Sequence, residues 1–394
     1  MIASAGHTLR ARIVRLWQRI PLLDRWLLGE LVGPLLFGIA AFTAVSLSVG
    51  VVFELVRRVA ESGLPVWAAM QVLGYRLPGF LVLSFPMATL MATLLAYSRL
   101  SGGSELTALR SIGVSTRRMV APALALAAAM SVLTFIFNDL IVPRANLEAN
   151  YTFERGLGRA VTASRGDFIL YPTFGNRQKP DGSSEKDLTQ LFYARRFEAG
   201  EMKDVTVLDF TRTGQRQMLQ ADRGIWNKTQ GVWEFRDGRI TSVDLQGGGL
   251  TTTARFDRYL YPLSSNPIRV ATLPTDASVM TVAQARTAER LLNQAGNQLE
   301  ARRIRVRINE KFAFPAICLV FGLIGSSLGV RPNNRTSRSQ GFGISVLLIF
   351  GYYLMSFIFS SLGIKGTLVP IGAAWFPVLI GLAGGLVLLR QASR

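Results

Sequence analysis

The sequence predicts a polytopic α-helical membrane protein of six transmembrane helices, with an antiparallel β-jellyroll domain inserted after the third helix. Three observations carry this prediction. Apolar residues gather into six charge-free runs, each long enough to cross the ~30 Å hydrocarbon core of a bilayer. Arginines crowd one set of the short flanks between those runs. Between positions 143 and about 301 the long apolar blocks give way to short stretches that alternate polar and apolar residues.

The six runs cover 31–53, 77–98, 119–138, 312–330, 339–364 and 366–389. The second is expected to begin earlier, because 64–75 holds no charged residue and Arg76 can lie at the membrane boundary. The first run is too long for the apolar core of a cleavable signal, and no small-residue cleavage site follows it, so it is expected to remain as a helix. Arg10, Arg12, Arg15, Arg19 and Arg25 precede the first run, and Arg99, Arg110, Arg117 and Arg118 separate the second and third. Arg331, Arg335 and Arg338 lie between the fourth and fifth, and Arg390 and Arg394 follow the sixth. With six spans all of these fall on one side, opposite short loops that hold only Arg57, Arg58 and Arg76 in one case and Lys365 in the other. The positive-inside rule then places both termini in the cytoplasm and the long insert outside.

The insert contains candidate strands at 168–174, 188–197, 205–211, 216–226, 232–244 and 250–263. Candidate turns stand at Asn176-Arg177, Asp181-Gly182, Ala199-Gly200 and Asp237-Gly238. This pattern reads as an antiparallel sandwich or jelly roll with Trp226, Trp233 and Phe235 in its core. From 279 to about 307 helical composition returns, leading into the fourth run through Arg302, Arg303, Arg305, Arg307 and Lys311. The expected division is 1–142 for the first membrane half, 143–278 for the β domain and 279–394 for the connecting helix and second membrane half.

The formal charge of +19 is accounted for by arginines that flank apolar runs, which argues against a nucleic-acid partner. The single cysteine, Cys318, falls inside an apolar run and the single histidine, His7, in the basic N-terminal stretch, so neither a disulfide framework nor a metal cluster is expected. No G-x-x-x-x-G-K-[ST] phosphate loop occurs, and the charge-free runs lack the Asp, Glu or His relays of ion-coupled carriers. Energy for transport is therefore expected from a partner.

Between the second and third runs, Ser101-Gly102-Gly103-Ser104 leads into Glu105-Leu106-Thr107-Ala108-Leu109-Arg110-Ser111-Ile112-Gly113. Ser104 fits an N-cap, Glu105 the first turn and Gly113 a stop, for a helix about eight residues or ~12 Å long. Such a helix is too short to span. It is expected to lie on the cytoplasmic surface with Leu106, Leu109 and Ile112 offered to a groove and Glu105 to an arginine; an ordinary surface connector is the plainer alternative.

Several stretches resemble the lipopolysaccharide-export permease family LptF/LptG. They are Asp24-Arg25-Trp26-Leu27-Leu28-Gly29-Glu30 before helix one, Phe85-Pro86-Met87-Ala88-Thr89-Leu90 in helix two, the segment from Ser104-Glu105-Leu106 through Arg110-Ser111-Ile112-Gly113-Val114-Ser115, and Ala374-Trp375-Phe376-Pro377 in helix six. The resemblance covers nearly the whole chain, including the order of three helices, β insert and three helices. It implies a bacterial inner-membrane subunit that pairs with a second LptF/LptG-type permease around a lipid-holding cavity. It further implies a cytoplasmic ABC ATPase dimer of the LptB kind that holds ATP and Mg, no cofactor on this chain, and a periplasmic jelly-roll bridge of the LptC/LptA kind. By the same resemblance Glu105 is the coupling-helix carboxylate that meets an ATPase arginine, with Leu106, Leu109, Arg110 and Ile112 around it. Arg57 and Arg58 stand where family members hold lipid A phosphates, while Glu54 departs from one branch of the family that has a basic residue there. Arg76, Arg307 and Lys311 are headgroup candidates from position alone, with snorkelling to ordinary lipid as the alternative role.

Two other classes of function compete. A mechanotransmission subunit would use an ATPase to move its outer domain without exporting lipid, but that class usually places the domain between helices one and two. A membrane-bound enzyme would need a nucleophile or histidine motif in the β domain, and none is present.

Overall fold

The computed structural model describes residues 21–157, 169–178, 184–198, 201–211, 215–227, 232–244, 251–262, 279–330 and 338–393. Two compact units result, Met1–Gly158 with Asn309–Arg394, and Arg159–Ile308. These boundaries fall later than 142 and 278 because the third long helix continues well past 142, and because the helix after the sheet belongs to the β unit.

In the helical unit, α1 (Leu22–Leu47) passes through a π-helical turn (Ser48–Val52) into α2 (Phe53–Ser62). Then come α3 (Val66–Gly102), the short α4 (Glu105–Ser111) and α5 (Thr116–Ile136), which continues through a second π-helical turn (Phe137–Ile141) into α6 (Val142–Gly156). After the β unit, the part of α8 (Gln298–Gly329) from Asn309 onward, α9 (Arg338–Lys365) and α10 (Pro370–Ala392) complete the unit. Six helical runs are long and apolar enough to cross a membrane: Leu22–Glu61, Val66–Gly102, Thr116–Phe153, Gln298–Gly329, Gly343–Lys365 and Pro370–Ala392. The second begins near 66, as the uncharged stretch before Arg76 predicts. The first and third outrun their charge-free cores, because a helix with satisfied internal hydrogen bonds can carry charged residues at either end of a span.

Close approach holds the bundle together. A Cβ on Gly325 would meet Thr93 Oγ1 at 2.2 Å and Leu90 O at 2.8 Å, and one on Gly329 would meet Tyr97 Cβ at 2.6 Å, so α8 lies directly on α3. Buried hydroxyls are returned to their own helices: Thr89 donates to Phe85 O at 2.7 Å, Thr93 to Thr89 O at 2.8 Å and Ser326 to Gly322 O at 2.6 Å. Between helices, the Thr43 and Ser84 hydroxyls lie 2.8 Å apart. Small residues and satisfied hydroxyls are how helices pack where no water is available to drive them together.

The β unit is a meander of β1 (Ile169–Gln178), β2 (Ser184–Glu198), β3 (Glu201–Asp209), β4 (Gln215–Asn227), β5 (Val232–Asp244) and β6 (Thr251–Tyr261), each antiparallel to its neighbour in sequence. The antiparallel β insert is present, and the described strands form one six-stranded sheet with no crossover. One core results because the sheet changes phase along a line. Pairing skips a row made of Arg195, Asp204, Asp222, Asp237 and Asp257, and resumes on either side of it. Two adjacent residues on each of these strands then share the outer face, which shifts the period-two pattern by one. Ala194 and Phe197, Val205 and Met202, and Phe256 and Tyr259 consequently all reach the same core around Trp233, Phe192 and Phe235.

Two expected turns lie inside strands instead. Asn176 pairs with Lys186, and Asp237-Gly238 sits on the phase-shift line, where Asp237 adopts φ +53. Both carry turn residue types, but neighbouring strands hydrogen-bond on through them. The expected turns at Asp181 and Ala199-Gly200 lie outside the described residues. The helical stretch after the sheet is broken: α7 (Val282–Gln294), capped by a reciprocal Thr281–Gln284 pair, ends before Gly296 at φ +77, a conformation that glycine supplies without steric cost. Its apolar side, with Ala285 and Ala288, packs on Ile304 and Ile308 of α8 within the unit.

Candidate functional site

At one end of the bundle α4 joins α3 to α5. Gly113 terminates it at φ +89, with its N–H donating to Arg110 O at 2.9 Å. Ser104 stands at the cap position but is left-handed at φ 61, and its side chain makes no cap hydrogen bond. Ala108 N–H instead donates to Ser104 O at 2.9 Å.

The five candidate docking residues divide. Leu106 is buried and Leu109 half-buried, both in a cluster with Leu27, Leu31, Tyr97, Leu100 and Met119. These two side chains hold α4 to the bundle, against the expectation that they face a groove; a single apolar stripe on a two-turn helix has only one side to bury, and the bundle takes it. Arg110 turns back as well, and its Nη2 donates to Val330 O at 3.0 Å and Ala392 O at 3.2 Å. Glu105 and Ile112 face outward, with Ile112 76% exposed. The platform beneath is stitched by charge: Arg118 donates to Asp24 at 2.8 Å, and Arg99 pairs with Glu30. The two acids of the Asp24-to-Glu30 motif thus tie α1 to the start of α5 and the end of α3.

The cationic candidates of this unit do not form one cluster. Arg57 and Arg58 lie on α2, in i,i+4 pairs with Glu61 and Glu54, both at 3.7 Å. Arg58 also lies over the Phe153 ring at 5.5 Å, and Arg76 donates to Asn150 Oδ1 at 2.9 Å, so both meet α6 at positions three residues apart. Lys311 is mostly buried, 3.9 Å from Asp139 and donating to Asn138 O at 3.3 Å. Asp139 and Asn150 are separated by about 16 Å along the helix. Arg307 belongs to the β unit.

Two features escaped sequence reasoning. Asp139 lies inside the third membrane run, just past the charge-free stretch that ends at 138, and the π-helical turn brings it to Lys311; on the next position of α8, Glu310 accepts from the Ser360 hydroxyl at 2.5 Å. The signal available was the unbroken helical pattern beyond Asn138. The second is an apolar groove of about 420 Å³ between α2 and the start of α3, lined by residues that include Val52, Val56, Val59, Val66, Ala69 and Met70. Its wall is the helix that carries Arg57 and Arg58.

Comparison with individual curated proteins gives no match. The family model described as "Lipopolysaccharide export system permease LptF/LptG" matches residues 25–391, which takes in Glu30, α4, the β insert and nearly all of the six membrane runs. The chain therefore belongs to the LptF/LptG family of lipopolysaccharide export system permeases.

Proposed function

We propose that this chain is one permease subunit of an inner-membrane ABC exporter that extracts lipopolysaccharide and passes it to a periplasmic jelly-roll bridge. A second LptF/LptG-type permease completes the cavity, and a cytoplasmic ATPase dimer holds the ATP and Mg. Both termini face the cytoplasm and the β domain the periplasm; the arginine-rich flanks support this orientation.

The observation that carries the reading is the build of α4. Its apolar side is committed to the bundle, packed against α1, α3 and α5, while Glu105 at the start of the helix and Ile112 at its end, about 10 Å apart along the axis, are left outward. A carboxylate and an exposed apolar side chain about two turns apart on one short helix suit a partner that supplies an arginine and a shallow apolar groove. In operation, ATP binding closes the ATPases, the movement enters through α4, and the helical halves narrow around the lipid and drive it toward the β domain.

At the other end of α1 and α2, phosphates or acidic sugars of the lipid meet Arg57 and Arg58, where guanidinium forks form charge-assisted hydrogen bonds. The apolar groove on the same helix accommodates an acyl chain. Arg76, Arg307 and Lys311 are further headgroup contacts; the existing partners of all three must yield for them to act. Replacing Glu105 with Ala tests the reading. The variant is expected to insert and fold, and to lose most ATPase copurification or lipid export, because truncating one partner of a desolvated charge pair costs about 2–5 kcal/mol. Full export by Glu105→Ala would sink the assignment, and mass spectrometry of the lipid retained by the purified complex tests the cargo.

A further inference from the structure

We propose that Arg110 is a positioning residue that carries the movement of α4 into the C-terminal half of the bundle, and is not part of the surface that the ATPase touches. The proposal rests on the reading of α4 as the docking element. One guanidinium nitrogen, Nη2, donates to Val330 O and Ala392 O at 3.0 and 3.2 Å. Val330 follows the last residue of α8 and Ala392 is the last of α10, so both acceptors belong to the end carbonyls that a helix cannot satisfy internally. The cation also lies where two helix dipoles present their negative ends. Thr116, the first residue of α5, adds a long hydrogen bond to the same Ala392 oxygen at 3.4 Å.

The two sides of α4 are therefore attached to different parts of the chain. Leu106 and Leu109 rest mainly against α1, α3 and α5, within the first membrane half. Arg110 reaches 220 and 282 residues along the chain to the ends of α8 and α10. Apolar side chains slide past one another at little cost, whereas a charged donor fixed to two carbonyls transmits displacement in a set direction. A push on Glu105 and Ile112 thus reaches α8 and α10 through Arg110 as well as α1 and α3 through the leucines, and both halves move together.

The test uses the complete complex in proteoliposomes and follows lipid release and ATP hydrolysis together. Arg110→Gln is expected to lower lipid released per ATP by at least about fivefold, with the ATPase still copurifying, and Arg110→Lys to recover part of the loss because it keeps the charge. An unchanged ratio in Arg110→Gln would overturn the proposal, as would loss of ATPase copurification, which would put Arg110 in the docking surface. A second measurement does not depend on either variant folding. Spin labels at Ser111→Cys and Arg390→Cys, in a Cys318→Ser background, should hold their separation to within about 2 Å through the nucleotide cycle, less than a one-turn slip. A larger change overturns the clamp. Failure of the wild-type chain to bind an ATPase would instead bring down the docking reading itself.

Discussion

The Tyr261 hydroxyl donates to Asp209 at 2.7 Å, and the Gln190 amide donates to the same carboxylate oxygen at 3.1 Å. Partial burial works against the charge on Asp209, but hydrogen bonds from Thr211, Tyr261 and Gln190 outweigh it and hold the carboxyl below the usual carboxylate range. A lowered folded-state pKa means that this contribution to stability is present above the unfolded value and is lost as pH falls through the folded one. Tyr261→Phe should therefore destabilise the β unit by about 1 kcal/mol near neutral pH, the usual worth of one hydrogen bond. In thermal unfolding, the gap between wild type and variant should narrow on acidification through the carboxylate range. A gap independent of pH would mean that the hydroxyl acts through packing alone. None of this was legible in the sequence, since register sets only Gln190 opposite Asp209, while Tyr261 pairs with Trp233 on β5 and reaches both side chains across strands that are not its neighbours.

Among the elements, the contact between α8 and α3 is the tightest test of helix packing. Gly325 leaves no room for a Cβ against Leu90 O and Thr93, so Gly325→Val must push the helices apart. Overpacking of this kind costs about 1–3 kcal/mol, and the expected outcome is a lower yield of folded protein with an earlier thermal transition. Gly74→Ala, where a Cβ would meet nothing within 4 Å, should behave as wild type. Equal yields for the two variants would show that the bundle tolerates separation of α8 from α3. The sequence announced α4 well, from Glu105 to the stop at Gly113, yet misjudged which side is free. A helix this short offers no repeat from which to choose a face, and the choice was made by Val330 and Ala392 from far along the chain. In the sheet, the charged pairs Arg195-Arg196, Lys203-Asp204, Asp222-Arg223, Arg236-Asp237 and Asp257-Arg258 interrupt the alternation on successive strands. They were a readable sign of the phase shift, masked by the turn chemistry of Asp237-Gly238.

For the whole molecule, the proposed orientation makes a prediction that needs no background change. Cys318 is buried and is the single cysteine, so new cysteines can be read against a quiet background. Thr253→Cys on exposed β6 should react with a membrane-impermeant thiol reagent in cells whose outer membrane has been opened, and Ser111→Cys only after the inner membrane is breached. The reverse pattern would invert the topology. The sequence by itself determined the number of spans, the β insert after the third, and the dependence on an outside source of energy as an expectation, because hydropathy, charge bias and two-residue alternation are local properties of the chain. Tertiary structure decided the rest. It drew Leu106 and Leu109 inward, sent Arg110 to two distant helix ends, set Asp139 against Lys311 and folded one meander around a single core. Each of these joins residues whose distance in space is unrelated to their distance along the chain, and only the packed helices and the strand register bring them within reach.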